Sequence, residues 1–121
     1  MANILIVDDS RTSRKMLRNL LEENGHVVVG EAKDGQEGVD LAKELNPDVI
    51  TLDITMPVLD GIGALELIKQ DNPNAKVIMV TAAGQKTNMV EALKRGAADF
   101  IQKPFDSAVI INTIEKVLED E

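Results

Sequence analysis

Five short apolar runs punctuate the chain: Asn3–Val7, Val27–Gly30, Val49–Leu52, Val77–Val80 and Ala98–Ile101. Each is four or five residues long and rich in Val and Ile. That is the length and composition of a strand buried on both faces. Helical periodicity fills every gap between them. After Ser10, the residues Met16, Leu17, Leu20 and Leu21 share one face, and Gly25 stops the helix. Asp34 with Glu37 marks a second start, and Val39, Ala42 and Leu45 keep the spacing until Asn46-Pro47. Asp60 caps a segment carrying Leu65 and Ile68 that ends before Pro73. Thr87 is expected to cap Val90, Leu93 and Lys94, with Gly96 as the stop. Asp106 caps a last helix through Ile110, Ile114, Val117 and Leu118.

Strict alternation of strand and helix predicts a doubly wound α/β fold. Its parallel sheet is covered on both faces and joined by right-handed crossovers. No linker or low-complexity run divides residues 1–121, so a single domain is expected. In such folds ligands sit beyond the carboxyl ends of the strands. Asp8 and Asp9 follow the first run, Asp53 the third, Thr81 the fourth and Lys103-Pro104 the fifth. Three carboxylates, a hydroxyl and an amine therefore share one predicted edge. The opposite edge offers Asp48 and Asp99 without such company.

Composition narrows the chemistry. Asp and Glu number 21 against 13 Lys and Arg, a net charge of −8. That argues against a nucleic-acid partner, which needs a basic face. Cysteine is absent and His26 is the one histidine, so thiolate chemistry and multi-histidine metal sites are excluded. His26, far from the acidic edge, is expected at the surface without a ligand role. Met16 and Met79 fall on core-facing patterns and are expected to pack. The N-terminal run is too short for a signal or membrane segment, so a cytoplasmic protein without membrane association is expected.

Clustered carboxylates repel and call for cations. Lys103 supplies one positive charge, and a hard divalent ion such as Mg²⁺ suits the oxygen donors. One carboxylate can then attack phosphorus to form an aspartyl phosphate, with Mg²⁺ and lysine neutralising the transferring oxygens.

These segments resemble the receiver domain of two-component response regulators: Ile4-Leu5-Ile6-Val7-Asp8-Asp9-Ser10, Asp53-Ile54-Thr55-Met56-Pro57-Val58-Leu59-Asp60-Gly61, Thr81-Ala82-Ala83-Gly84 and Lys103-Pro104-Phe105. The likeness runs from Ile4 to about Leu118 and is greatest to stand-alone chemotaxis regulators of the CheY type. It implies a flavodoxin-like (βα)5 fold; the strand order 2-1-3-4-5 is taken from that precedent. It also implies roles. Asp53 is the phosphoacceptor. Asp9 ligates Mg²⁺ directly, Asp8 acts mainly through water, and Asp53 and the Thr55 backbone carbonyl complete the set. Lys103 pairs with the phosphoryl group or with Asp53, and its bond to Pro104 is cis. Thr81 is the switch hydroxyl and Phe100 the switch aromatic, where many relatives have tyrosine. Thr55 and Ala83 flank the line of water attack and are expected to set the phosphoryl lifetime.

The resemblance further implies a sensor histidine kinase as phosphodonor and a signalling protein, not an enzyme. The output surface is the fourth helix, fifth strand and fifth helix, including Met89, Lys94, Ala98, Phe100 and Ile110. The expected target is the flagellar motor switch, with an auxiliary phosphatase as a further partner and a monomeric state. With no residues after Glu121, the signal is expected to leave by docking. Two other readings stay open: a phosphorelay shuttle, and a Mg²⁺-dependent aspartyl-phosphate phosphatase. The phosphatase would want an acid two residues after Asp53, where Thr55 stands. Nucleotide binding lacks its Gly-rich loop after the first strand.

Overall fold

A computed structural model describes residues 2–56, 58–82 and 86–119. Five strands alternate with five helices: β1 Asn3–Val7, α1 Arg11–Glu23, β2 Val27–Ala32, α2 Gly35–Leu45, β3 Val49–Asp53, α3 Gly61–Asp71, β4 Val77–Thr81, α4 Lys86–Lys94, β5 Asp99–Gln102 and α5 Ser107–Glu119. All neighbouring strands are parallel, in the order β2-β1-β3-β4-β5.

Side-chain alternation along the strands builds two cores. Leu5, Val7, Ile50, Leu52 and Met79 pack beneath Val39 of α2, Leu65 and Ile68 of α3 and Ala92 of α4. Ile4, Ile6, Val49, Ile78 and Ile101 pack beneath Leu17 and Leu21 of α1 and Ile110, Ile114 and Val117 of α5. Each fully buried Ile or Leu contributes roughly 1.5–3 kcal/mol, and a one-residue slip would turn a whole strand's set to the wrong face. This is why the register holds.

One irregularity changes which side chains face α1. Ile4 pairs with Val28 but Leu5 pairs with Gly30, so Val29 is an extra residue in β2. The bulge advances the alternation by one. Glu31 consequently lies opposite Ile6, on the α1 face, and Ala32 opposite Val7.

Local chemistry sets most helix starts as expected. The Ser10, Asp34 and Asp60 side chains accept the N–H groups of Ser13, Glu37 and Gly63. Asp106 accepts from Ala108 and Val109 before α5. Thr87 is a correction: α4 already begins at Lys86, so Thr87 lies inside the first turn and is not its cap. Ala98 lies outside β5, which starts at Asp99, and β2 and β3 extend to Ala32 and Asp53. Met79 is buried, but Met16 is 54% exposed. The α1 contact line runs through Leu17 and Leu21, and Met16 is rotated about 100° off it. His26 is a second correction, because it is buried. Its Nδ1 accepts the Ala2 N–H at 3.2 Å, and burial lowers its pKa below the ordinary imidazole value.

Candidate functional site

Asp8 follows the end of β1, and its backbone N–H donates to the Ala32 carbonyl at 3.0 Å. Asp53 ends β3. Lys103 follows β5, its backbone N–H donating to the Thr81 carbonyl at 2.7 Å. The sheet thus delivers all three to one edge. The carboxylate oxygens of Asp8, Asp9 and Asp53 lie within 4.8 Å of one another. Asp8 and Asp53 are buried and Asp9 is exposed. Lys103 Nζ bridges Asp8 Oδ2 at 3.2 Å and Asp53 Oδ2 at 3.5 Å. The expected Lys103–Asp53 pair is present, but the lysine sits nearer Asp8.

The Asp8 and Asp53 carboxylates are held by the backbone around them. Asp8 Oδ1 accepts the Ser10 N–H at 2.8 Å, at the mouth of α1. Asp53 Oδ1 accepts the Thr55 N–H at 3.3 Å. Gly61 is required here: a Cβ would lie 2.2 Å from the Asp53 carbonyl oxygen. Its N–H donates to the Ile54 carbonyl at 2.7 Å, fastening the start of α3 to the loop after β3.

One lysine against three acids leaves an imbalance. Burial pushes the Asp53 carboxyl up to about 6; the Asp8 charge adds to this, and Lys103 and the Thr55 N–H oppose it. Burial lowers the Lys103 pKa, but Asp53 and Asp8 outweigh that and the net direction is upward. A hard cation held by oxygen donors fits this deficit of positive charge.

The remaining expected residues are placed as follows. Thr81 is buried at the end of β4. Phe100 is half-buried and packed against the α2–α3–α4 core, opposite Met79 in register. Thr55 is exposed beside Asp53. The Lys103-Pro104 bond is cis. Ala83 lies outside the described residues. On the expected output surface, Lys94 and Ala98 are exposed and Met89 and Phe100 half-buried. Ile110 is fully buried under the sheet and does not belong to that surface. Its position three residues into α5 turns it toward Ile114 and the core.

A network next to the site escaped the sequence reading. The Arg14 guanidinium donates to the Asp8 carbonyl at 2.7 Å through Nη1 and to Glu31 Oε1 at 3.2 Å through Nε. Arg18 reaches the other Glu31 oxygen at 2.5 Å. The i, i+4 spacing of Arg14 and Arg18 was visible; the β2 bulge that turns Glu31 toward them was not.

Among described residues, no helix is long and apolar enough to cross a membrane. The family model "Response regulator receiver domain" matches residues 4–115. The chain is 46% identical over 114 residues to the chemotaxis protein CheY of Thermotoga maritima, covering 94% of this chain and 95% of that one. It is 45% identical over 118 residues to protein CcdB of Bacillus subtilis, covering 98% of each. Among solved structures it superposes on a chain of the CheX–CheY–BeF3–Mg²⁺ complex from Borrelia burgdorferi. The TM-score is 0.90, with 40% identity, over 95% of this chain and 87% of that one. Sequence, topology and the acidic edge agree, and the chain belongs to the response regulator receiver family of two-component signalling.

Proposed function

We propose that residues 1–121 act as one receiver unit that accepts a phosphoryl group on Asp53 from a sensor histidine kinase, with Mg²⁺. The observation carrying this reading is the convergence of Asp8, Asp9 and Asp53 within 4.8 Å around a single lysine. Asp9, Asp53 and the Thr55 carbonyl would hold the ion, with Asp8 acting through water. The ion supplies positive charge opposite the phosphoryl oxygens. The CheX–CheY complex that contains Mg²⁺ supports that choice of metal.

An Asp53 carboxylate oxygen attacks phosphorus of a phosphohistidine. The new O–P bond forms as the P–N bond breaks, and the imidazole departs with the electron pair of that bond. Lys103 Nζ turns from the carboxylate to a phosphoryl oxygen and neutralises it. The Thr81 hydroxyl donates to another phosphoryl oxygen, and the half-buried Phe100 ring responds to its movement. That links the site to the α4–β5–α5 surface, read without Ile110. Thr55 and Ala83 set how well water aligns for hydrolysis. The CheY-named relatives favour chemotaxis, hence a cytoplasmic monomer docking on the flagellar motor switch, with an auxiliary phosphatase.

The test is intact-mass measurement after incubation with acetyl phosphate and Mg²⁺. One phosphoryl adduct is expected, abolished by Asp53→Asn; full adduct in that variant would place the acceptor elsewhere. A pull-down with phosphorylated protein separates a motor-switch target from a second phosphotransfer protein.

A further inference from the structure

We infer that Arg14 is a positioning residue for the Asp8–Asp9 pair, fixing the Asp9 carboxylate for cation binding through the Asp8 carbonyl. The inference rests on the Mg²⁺-assisted reading above. Its geometry is a chain of contacts. The Asp8 carbonyl and the Asp9 N–H belong to one planar peptide unit, so orienting that plane sets where Asp9 leaves the backbone. Arg14 Nη1 holds the carbonyl at 2.7 Å, while the Asp8 N–H is held by the Ala32 carbonyl at 3.0 Å. The backbone is thereby held on both sides of Asp8, at the preceding peptide by Ala32 and at the Asp8–Asp9 peptide by Arg14.

The guanidinium itself is held. Its side chain is 16% exposed, and Nε donates to Glu31, whose second oxygen is occupied by Arg18. The planar fork reaches the carboxylate and the carbonyl from two separate nitrogens, whereas a lysine would have to reach both from one. Glu31 reaches this position because Val29 is an extra residue in β2. Without the bulge, Glu31 would point to the α2 side and Arg14 would lack its anchor. The bulge, the half-buried carboxylate and the arginine are thus one device beside the site, built from three elements.

Electrostatics and positioning predict opposite signs, which makes the test decisive. Arg14 is a cation near a cation site, so removing its charge would raise Mg²⁺ affinity by Coulomb repulsion alone. Loss of positioning lowers it. Outer partners of metal ligands commonly cost about tenfold or more in affinity when removed. The experiment titrates Mg²⁺ alone into isotope-labelled protein and follows amide shifts around Asp8 and Asp53. Arg14→Gln is expected to weaken Mg²⁺ about tenfold. Arg11→Gln removes the same charge from the exposed first residue of α1, outside the Arg14–Glu31–Arg18 network, and its affinity is expected to stay level or rise. Unchanged or higher affinity in Arg14→Gln, or equal loss in both variants, overturns the inference. Should Arg14→Gln fail to fold, Arg14→Lys keeps the charge and loses the fork; several-fold weaker binding supports the role and unchanged binding overturns it. Asp9→Asn separates the two levels. If it leaves Mg²⁺ affinity intact, the metal reading falls and takes this one with it. If it abolishes binding while Arg14→Gln does not weaken it, only the positioning role falls.

Discussion

Asp48 stands at the amino end of β3 and Asp53 at its carboxyl end, one strand apart. Asp48 is exposed, its Oδ2 accepts the Asn3 N–H at 2.8 Å, and its own N–H donates to the Asn3 carbonyl at 2.8 Å. Asp99, also near that pole, accepts the Phe100 N–H and reaches Lys116 at 3.9 Å. These acids are matched locally, Asp48 in water and Asp99 half-buried. Asp53 is buried, faces two other carboxylates and shares one lysine with Asp8. The same residue type is a structural tie at one pole and an electrostatic load at the other. Locally unfavourable choices gathered at one place mark where a fold has been shaped for something other than stability.

The largest effect that would break this contrast is on Asp53. Its folded-state pKa of about 6 lies above the ordinary carboxyl value of 3.8. The folded protein therefore binds this proton more tightly than the unfolded chain. The associated stability is present below about pH 4 and is lost as pH rises through 6. Asp53→Asn, which mimics the protonated form, should stabilise the metal-free protein at pH 7 by roughly 2 kcal/mol and converge with the parent near pH 4. Urea denaturation with a chelator at both pH values checks it. A parent as stable as the variant at pH 7 would remove the idea of an electrostatic load.

Asp48→Ala should act with the opposite sign. It strips the Asn3 N–H of its side-chain acceptor and should cost about 1 kcal/mol. Phosphorylation by acetyl phosphate should proceed at the parent rate. A slowed reaction would mean that the two poles communicate and that the comparison is too simple.

The sequence exposed most of the frame because burial on both faces forces continuous Val/Ile runs, and helix starts need side-chain acceptors. Ser10, Asp34, Asp60 and Asp106 all act that way. The edge residues were legible too, since a parallel sheet sends every strand's successor to one side. What stayed hidden depends on a single residue of register or rotation. Met16 is one position away from the α1 contact line, and Ile110 turns inward while its α5 neighbour Val109 turns out. His26 is enclosed because the chain preceding β1 brings Ala2 against it. Glu31 needed the Val29 bulge, which no local pattern announces.

The smallest effect concerns backbone strain and again sets one pole against the other. Two non-glycine residues among those described have positive φ: Asn46 at 45° and Val58 at 68°. Asn46 closes α2 at the amino pole, its N–H donating to the Ala42 carbonyl, and asparagine tolerates the left-handed region. Val58 lies in the loop from Asp53 to Gly61, at the site pole. A β-branched side chain is poorly suited to that conformation, where Cβ crowds the backbone. Val58 is also 82% exposed, so little packing offsets the cost. Val58→Asn should therefore raise stability by about 0.5–1 kcal/mol with no loss of buried area. Thermal melting of parent and variant measures it. A destabilised variant would show that Val58 makes contacts outweighing its strain. If the variant is stabilised yet accepts the phosphoryl group more slowly, the strained loop is part of what holds Asp53 ready.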